Sequence, residues 1–139
     1  MYKITKKFVD QLAYEIIGAA IEVHKQIGPG LLESVYHACM KEEFRYREIP
    51  FRSEMIIPVK YKEIAVDALL RCDLFVDNLI VVELKAAEKL LPIHEAQAIT
   101  YMKLLEAPKS IAINFNVTNI FKEGQKAFVS EYYRDLPDF

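Results

Sequence analysis

Apolar residues near the N-terminus recur at helical spacing. One stripe, with steps of three or four residues, consists of Phe8, Leu12, Ile16, Ala19 and Val23. This pattern predicts a helix from about Thr5 to Ile27, which Gly28-Pro29-Gly30 ends because proline cannot continue a helix. A second helix, ending before Pro50, is indicated by Leu31, Leu32, Val35, Cys39 and Phe44. The first third of the chain is therefore predicted to be a helical pair.

The middle of the chain is rich in β-branched and large apolar residues. They occur in four segments, Met55–Val59, Ile64–Val66, Leu69–Val76 and Leu79–Val82. Three strands in meander order fit these segments best.

The last third is predicted to contain a helix and at least one strand. The helix begins at Pro92 and is closed by Pro108, and a strand follows over Ser110–Phe115. Lys126–Tyr133 fits either an edge strand or a short helix. The order ααβββαβ predicts the α/β class, with an α+β mixed sheet flanked by helices.

Composition narrows the class of protein. With 139 residues, 53% of them apolar, the chain suits a single folded domain over residues 1–139. The two cysteines, Cys39 and Cys72, are too few for a disulfide framework, and no apolar run is long enough to span a membrane. We therefore expect a cytoplasmic protein that makes no use of a membrane.

One acid and a Glu-x-Lys motif lie on consecutive predicted strands. Alternation along a strand sends Glu83 and Lys85 to the same face, and Asp73 lies on the strand before. Most such charges are simply solvated. Here, however, the strands are apolar on both sides of the motif, which favours a central strand, and ionisable groups there must pair or bind a ligand.

The length of the connecting loop decides which residue faces Asp73. A two-residue turn at Asp77-Asn78 would oppose Asp73 to Val82, whereas a three-residue loop ending at Leu79 opposes it to Glu83. Opposed Cβ atoms are about 5 Å apart, so the two carboxylates could share one cation. We expect both to face the same side of the sheet, with the second helix packed on that side.

Carboxylates in this arrangement are suited to a hard divalent ion. Asp73, Glu83 and the Leu84 carbonyl are a plausible ligand set for Mg²⁺ or Mn²⁺, and Lys85 beside the ion could orient or deprotonate a water and balance charge on phosphorus. Without a metal, the same residues would form an ion-pair cluster.

Several further motifs make the chain resemble a known family. Gly30-Leu-Leu-Glu33-Ser-Val-Tyr36 matches the pattern of the GxxExxY proteins, which are placed in the PD-(D/E)xK nuclease superfamily. The motif of that superfamily fits Asp73 and Glu83-x-Lys85 in order and spacing. The resemblance extends through His24–Gly30, Gln97, Tyr101, Asn114-Phe115-Asn116 and Gly124. It implies a restriction-endonuclease-like core.

The resemblance also implies roles for individual residues. Asp73 and Glu83 would ligate the metal, Glu33 would project toward it from the second helix, and Lys85 would be catalytic. Gln97 would hold a phosphate or Lys85. His37 and His94 are not at a metal-ligand spacing from each other, and we assign them no role.

These implications favour a Mg²⁺-dependent nuclease that acts on DNA or RNA. The net charge of −2 requires a local basic patch, for which the candidates are Lys41, Arg45, Arg47, Arg52, Lys60 and Lys62. The main alternative is a non-catalytic module that binds nucleic acid or a protein partner. A metal-independent acid–base enzyme using Glu33 and Glu83 is a third. Because the chain is small, specificity would come from a homodimer or a protein partner.

Overall fold

Four helices flank the sheet in the computed structural model, which describes residues 3–139. They are α1 (Lys6–Ile27), α2 (Glu33–Tyr46), α3 (Pro92–Leu104) and α4 (Glu131–Arg134). The Thr5 hydroxyl accepts a hydrogen bond from the Phe8 N–H at 3.0 Å and so caps the start of α1. The first three helices agree with the sequence pattern. Among residues 3–139, no helix is long and apolar enough to cross a membrane.

Seven strands form one large and one small sheet. They are β1 (Phe51–Ile56), β2 (Val59–Tyr61), β3 (Ile64–Val66), β4 (Arg71–Val76), β5 (Ile80–Lys85), β6 (Lys109–Asn114) and β7 (Gln125–Val129). The large sheet has the order β1-β4-β5-β6-β7, and β2 pairs only with β3. Strands β5 and β6 run parallel because α3 crosses between them, while the other neighbours are antiparallel. This mixed sheet flanked by helices confirms the predicted fold class.

The segment before β4 differs in detail from the prediction. Met55–Val59 is not one strand, since β1 begins at Phe51 and Pro58 separates it from β2. Proline has no N–H to donate to a ladder, which explains the break. The meander is therefore β1-β4-β5, with the β2–β3 hairpin inserted into it. Residues Lys126–Tyr133 contain both alternatives, since edge strand β7 is followed by α4.

The two faces of the sheet bury different helices. Helices α1 and α2 pack on the face that carries Val82 and Leu84 of β5. On the other face, Val81 packs with Tyr101 and Met102 of α3. The sheet therefore separates two apolar clusters. By alternation, the polar residues of β5, Glu83 and Lys85, share the face of Val81.

Tyr36 holds the loop between α1 and α2. Its hydroxyl donates a hydrogen bond to the Gly28 carbonyl at 2.6 Å and accepts one from the Leu31 N–H at 3.2 Å. Its ring stacks on Phe115, with 4.4 Å between centroids. Gly30 has a φ of 91°, a conformation that suits glycine. The glycine and the tyrosine of the Gly30–Tyr36 motif thus shape one loop.

Candidate active site

The β4–β5 hairpin has the register that a three-residue loop gives. Val76 pairs with Ile80 and Leu74 with Val82, so residues 77–79 form the loop. Asp77 and Asn78 both have positive φ angles, 51° and 56°, as such short loops require. Continued by one pair, this register sets Asp73 against Glu83.

The two carboxylates exchange hydrogen bonds with the opposite strand. Glu83 Oε2 accepts the Asp73 N–H at 2.8 Å, and Asp73 Oδ2 accepts the Leu84 N–H at 2.8 Å. The side-chain oxygens therefore take the place of backbone carbonyls beyond the last ladder pair. These bonds fix both carboxylates and leave Asp73 Oδ1 and Glu83 Oε1 for other ligands.

The backbone of β4 changes face at Asp73. Cys72 packs in the α3 cluster, whereas Leu74 packs in the α1–α2 cluster. The ladder between β1 and β4 is interrupted where Glu54 would pair with Asp73, and Glu54 has a φ of 51°. Asp73 therefore lies at the crossing point between the two faces, where its side chain can reach the backbone of β5.

Burial and like charge raise the pKa of both carboxyls. Desolvation raises the pKa of Glu83 to about 8, the negative charge of Asp73 adds to the effect, and Lys85 opposes it. The pKa of Asp73 is also raised, mainly by burial, while the hydrogen bond from Leu84 and the charges of His37 and Lys85 act in the opposite direction. A cation between the two groups would favour their ionised forms.

Lys85 is the first member of a hydrogen-bonded chain that ends on α3. Its Nζ donates to Gln97 Oε1 at 3.2 Å, and Gln97 Nε2 donates to the Tyr101 hydroxyl at 2.9 Å. Lys85 and, by alternation, Glu83 therefore lie on the α3 face. The expectation that the second helix packs on that side is wrong, because its apolar residues cover Val82 and Leu84 instead.

Glu33 does not join the carboxylate pair. It is the first residue of α2 and is exposed, and its charge contributes only a small part of the rise in the pKa of Glu83. Within the described part of the chain, no group of three or more His, Cys, Asp and Glu side chains could hold a metal ion. The structure brings together Asp73, Glu83 and Lys85, but leaves Glu33 outside.

His37 is a neighbour of the site that the sequence analysis set aside. Its Nε2 lies 3.0 Å from the Ser53 hydroxyl of β1, and its charge acts on Asp73. The sequence carried no signal for this contact, since Glu33, four residues before His37 on the same helix, lies outside the pair. Spacing from another histidine could not show this, because His37 acts on Asp73 across space rather than along the chain.

The carboxylate oxygens of Asp73 and Glu83 are suitable ligands for a small hard cation. Each carboxylate uses one oxygen to accept a backbone N–H, Glu83 Oε2 from Asp73 and Asp73 Oδ2 from Leu84, and keeps its other oxygen for a ligand. Glu83 is only 2% exposed. Hard divalent ions prefer oxygen ligands, and Mg²⁺ is commonly held by one or two carboxylates with the remaining positions open to water and phosphate. The pair alone therefore offers what such an ion needs from a protein.

Ion pairs reduce the expected basic patch. Arg45 pairs with Glu42, and Arg47 pairs with Glu43, both along α2. Two of the six candidate cations are therefore already neutralised by neighbouring acids.

Comparison with known proteins identifies one family. A family model described as the PD-(D/E)XK nuclease superfamily matches residues 10–127, which include every site residue discussed above. Neither the curated proteins nor the solved structures contain a match to the chain.

Proposed function

Because this chain belongs to the PD-(D/E)XK nuclease superfamily, we propose that it is a metal-dependent nuclease that hydrolyses phosphodiester bonds of DNA or RNA. Its sheet and flanking helices are consistent with the restriction-endonuclease-like fold, and the family supports a nuclease-like function. One observation carries the proposal: the carboxylates of Asp73 and Glu83 are both fixed across β4 and β5, since Glu83 accepts the Asp73 N–H and Asp73 accepts the N–H of Leu84, the neighbour of Lys85.

In this proposal Asp73 and Glu83 hold a divalent cation, Mg²⁺ or Mn²⁺, together with the Leu84 carbonyl. When bound, the cation supplies positive charge to the phosphate oxygens. Glu33 is a further ligand only if the N-terminus of α2 moves, since it lies outside the pair. Nuclease members of this superfamily generally use divalent ions, which agrees with the donor set described above.

Lys85 acts on the substrate in this proposal, and Gln97 positions Lys85. The Lys85 ammonium donates a hydrogen bond to the scissile phosphate and stabilises the negative charge that develops there. Gln97 holds Lys85 in position, as their 3.2 Å hydrogen bond supports. A lysine held in this way needs little reorganisation when the substrate binds.

The motif of Gly30, Glu33 and Tyr36 supports a finer assignment to the GxxExxY proteins. Tyr36 binds the loop that precedes α2, which gives the spacing of Gly30 and Tyr36 in this motif a structural reason. We also propose that residues 1–139 form a single nuclease-like domain. Both assignments are consistent with a family match that covers residues 10–127.

Cleavage assays with Lys85→Ala test the proposed function. Wild-type protein should cleave single-stranded, double-stranded or branched DNA or RNA in the presence of Mg²⁺ or Mn²⁺. Lys85→Ala should lower kcat by at least about a hundredfold, because a group that stabilises the transition state is lost. Its melting temperature should change little, since Lys85 is only partly buried.

Lys89→Ala is the matched control, because Lys89 is an exposed lysine four residues further along the chain. This variant should retain wild-type cleavage. If wild type and Lys85→Ala are equally inert on every substrate while wild type still binds nucleic acid, the chain is a non-catalytic binding module and the proposal fails.

A further inference from the structure

His37 extends from α2 to the main sheet beside the carboxylate pair. Its Nε2 lies 3.0 Å from the Ser53 hydroxyl of β1. Ser53 is paired with Leu74, the residue that follows Asp73 on β4. The β1–β4 ladder is interrupted at Glu54 and Asp73, immediately beyond that pair. The imidazole therefore lies next to the part of the sheet where Asp73 leaves the ladder.

His37 and Lys85 approach Asp73 from different sides of the sheet. Helix α2 packs on one face, whereas Lys85 is bonded to Gln97 of α3 on the other. Burial raises the pKa of Asp73, and among the charges that oppose this rise, that of His37 acts more strongly than that of Lys85. Asp73 therefore has on each side a group that can donate a hydrogen bond to an anion.

The second ring nitrogen of His37 is open to a ligand. Nδ1 has no hydrogen-bond partner within residues 3–139, and it is not a buried atom, since Ser110 Oγ is the one buried side-chain polar atom there without a partner. When Nε2 accepts the Ser53 O–H, a neutral imidazole carries its proton on Nδ1, and an imidazolium also carries one there. The half-buried ring therefore has an N–H donor available at the site.

A phosphate oxygen is the acceptor that this position favours. Within the described part of the chain, His37 forms no group of metal ligands with the carboxylates, and Glu54 adds to the negative charge around Asp73. Donors rather than acids must therefore bind an anionic strand here. Each nucleotide of such a strand adds a phosphate, and contacts to these phosphates fix its register. With the scissile phosphate at Lys85, His37 is a donor for an adjoining one.

We propose that His37 is a substrate-binding residue of this site: its Nδ1 donates a hydrogen bond to a phosphate that adjoins the scissile one, and Ser53 fixes the ring. This role rests on the proposed nuclease function and adds a contact on the α2 side of the sheet. Lys85 binds the scissile phosphate from the α3 side. Because His37 contacts a phosphate that does not react, it contributes to binding and not to the chemical step.

Steady-state cleavage kinetics of His37 variants test this contact. His37→Ala should raise KM by roughly tenfold and leave kcat within about twofold, because it removes a hydrogen bond to a charged group that is equally strong in the ground and transition states. His37→Asn should recover most of the wild-type KM, since its amide nitrogen takes the position of Nδ1. His37→Gln has its amide nitrogen at the position of Nε2 and should behave like His37→Ala.

His24→Gln is the matched control, because His24 is also half-buried and uses Nε2 for a hydrogen bond, to the Val117 carbonyl at 2.8 Å. Its KM should equal that of wild type. Titration calorimetry provides a second control: His37→Ala should bind Mn²⁺ no more weakly than wild type does. A loss of Mn²⁺ binding would make His37 a metal ligand and overturn the phosphate contact.

A binding measurement makes the test independent of cleavage. In a Lys85→Ala background with Mn²⁺, fluorescence anisotropy of a labelled oligonucleotide should show a Kd that His37→Ala raises by roughly tenfold. Wild-type KM and Kd in His37→Ala, or rescue by His37→Gln but not by His37→Asn, would overturn the contact. An inert wild type whose oligonucleotide affinity still falls with His37→Ala would contradict the proposed nuclease function and support the contact.

Discussion

At the scale of single residues, Glu83 and Asp73 combine burial with mutual repulsion. Glu83 is 2% exposed, and its carboxylate binds the backbone N–H of the residue that carries the other acid. Ionising both groups places two negative charges on adjacent strands in a poorly solvated region. Without a metal, we therefore expect the two carboxyl groups together to keep one proton.

This proton makes stability depend on pH. The pKa of Glu83 is raised from 4.5 to about 8, so between these values the folded protein holds a proton that the unfolded chain has released. The free energy of unfolding, measured by urea titration without divalent ions, should therefore fall as pH rises through this window, by on the order of 5 kcal/mol. Glu83→Gln, which cannot ionise, should largely flatten the profile.

Glu88→Gln provides the control for this measurement, because Glu88 is exposed and lies outside the site. Its profile should follow that of wild type. A wild-type stability that rises from pH 5 to pH 8, or a Glu83→Gln profile as steep as wild type, would show that Glu83 does not hold the proton.

The sequence predicted the opposition of these two acids but not their full setting. The alternation of side chains set Asp73 against Glu83 only for a three-residue loop from Asp77 to Leu79, and the structure has the register of that loop. The change of face at Asp73 was not visible, because it lies where the ladder to a different strand, β1, is interrupted, beside the positive φ of Glu54. The exposed position of Glu33 likewise depends on how α2 packs, which local spacing does not determine.

At the scale of elements, Tyr36 connects α2 to the loop before it and to Phe115, the residue that follows β6. Its hydroxyl bonds the Gly28 carbonyl and the Leu31 N–H, and its ring is fully buried against Phe115. The hydroxyl and the ring therefore stabilise different parts: the hydroxyl fixes the loop, and the ring fills the core. Substitutions can separate the two contributions.

Tyr36→Phe should destabilise the protein by about 1–2 kcal/mol, because the ring still packs but the loop loses its partner. Tyr36→Ala should cost about 3–5 kcal/mol, since it also leaves a cavity. Denaturant unfolding measures both values. Tyr132→Phe is the control, because its hydroxyl bonds Glu106 at an exposed position and should contribute less than about 0.5 kcal/mol. Equal losses for Tyr36→Phe and Tyr132→Phe would contradict the role of the loop contact.

Elements with strong periodicity were predictable, and short ones were not. The stripe of α1 and the prolines that bound α3 fixed these helices to within a few residues. The β2–β3 hairpin shares its composition with the core strands, so composition could not show that it leaves the main sheet. Only the pairing partners of each strand distinguish the two cases.

At the scale of the whole molecule, the candidate site lies in the sheet, between the two apolar clusters. The α1–α2 cluster and the α3 cluster are separated by the sheet, and Asp73 marks the point where β4 passes from one to the other. The net charge of −2 adds no general attraction for nucleic acid, so a bound cation would be the main positive charge at the site.

Titration calorimetry with Mn²⁺ tests the central claim, that the Asp73–Glu83 pair holds a divalent ion. Wild type should show weak, saturable binding that tightens when a phosphodiester analogue is present, because two carboxylates leave several ligand positions open. Asp73→Asn should remove this binding, while Asp67→Asn, at an exposed position, should retain it. Identical titrations of wild type and Asp73→Asn would contradict the account.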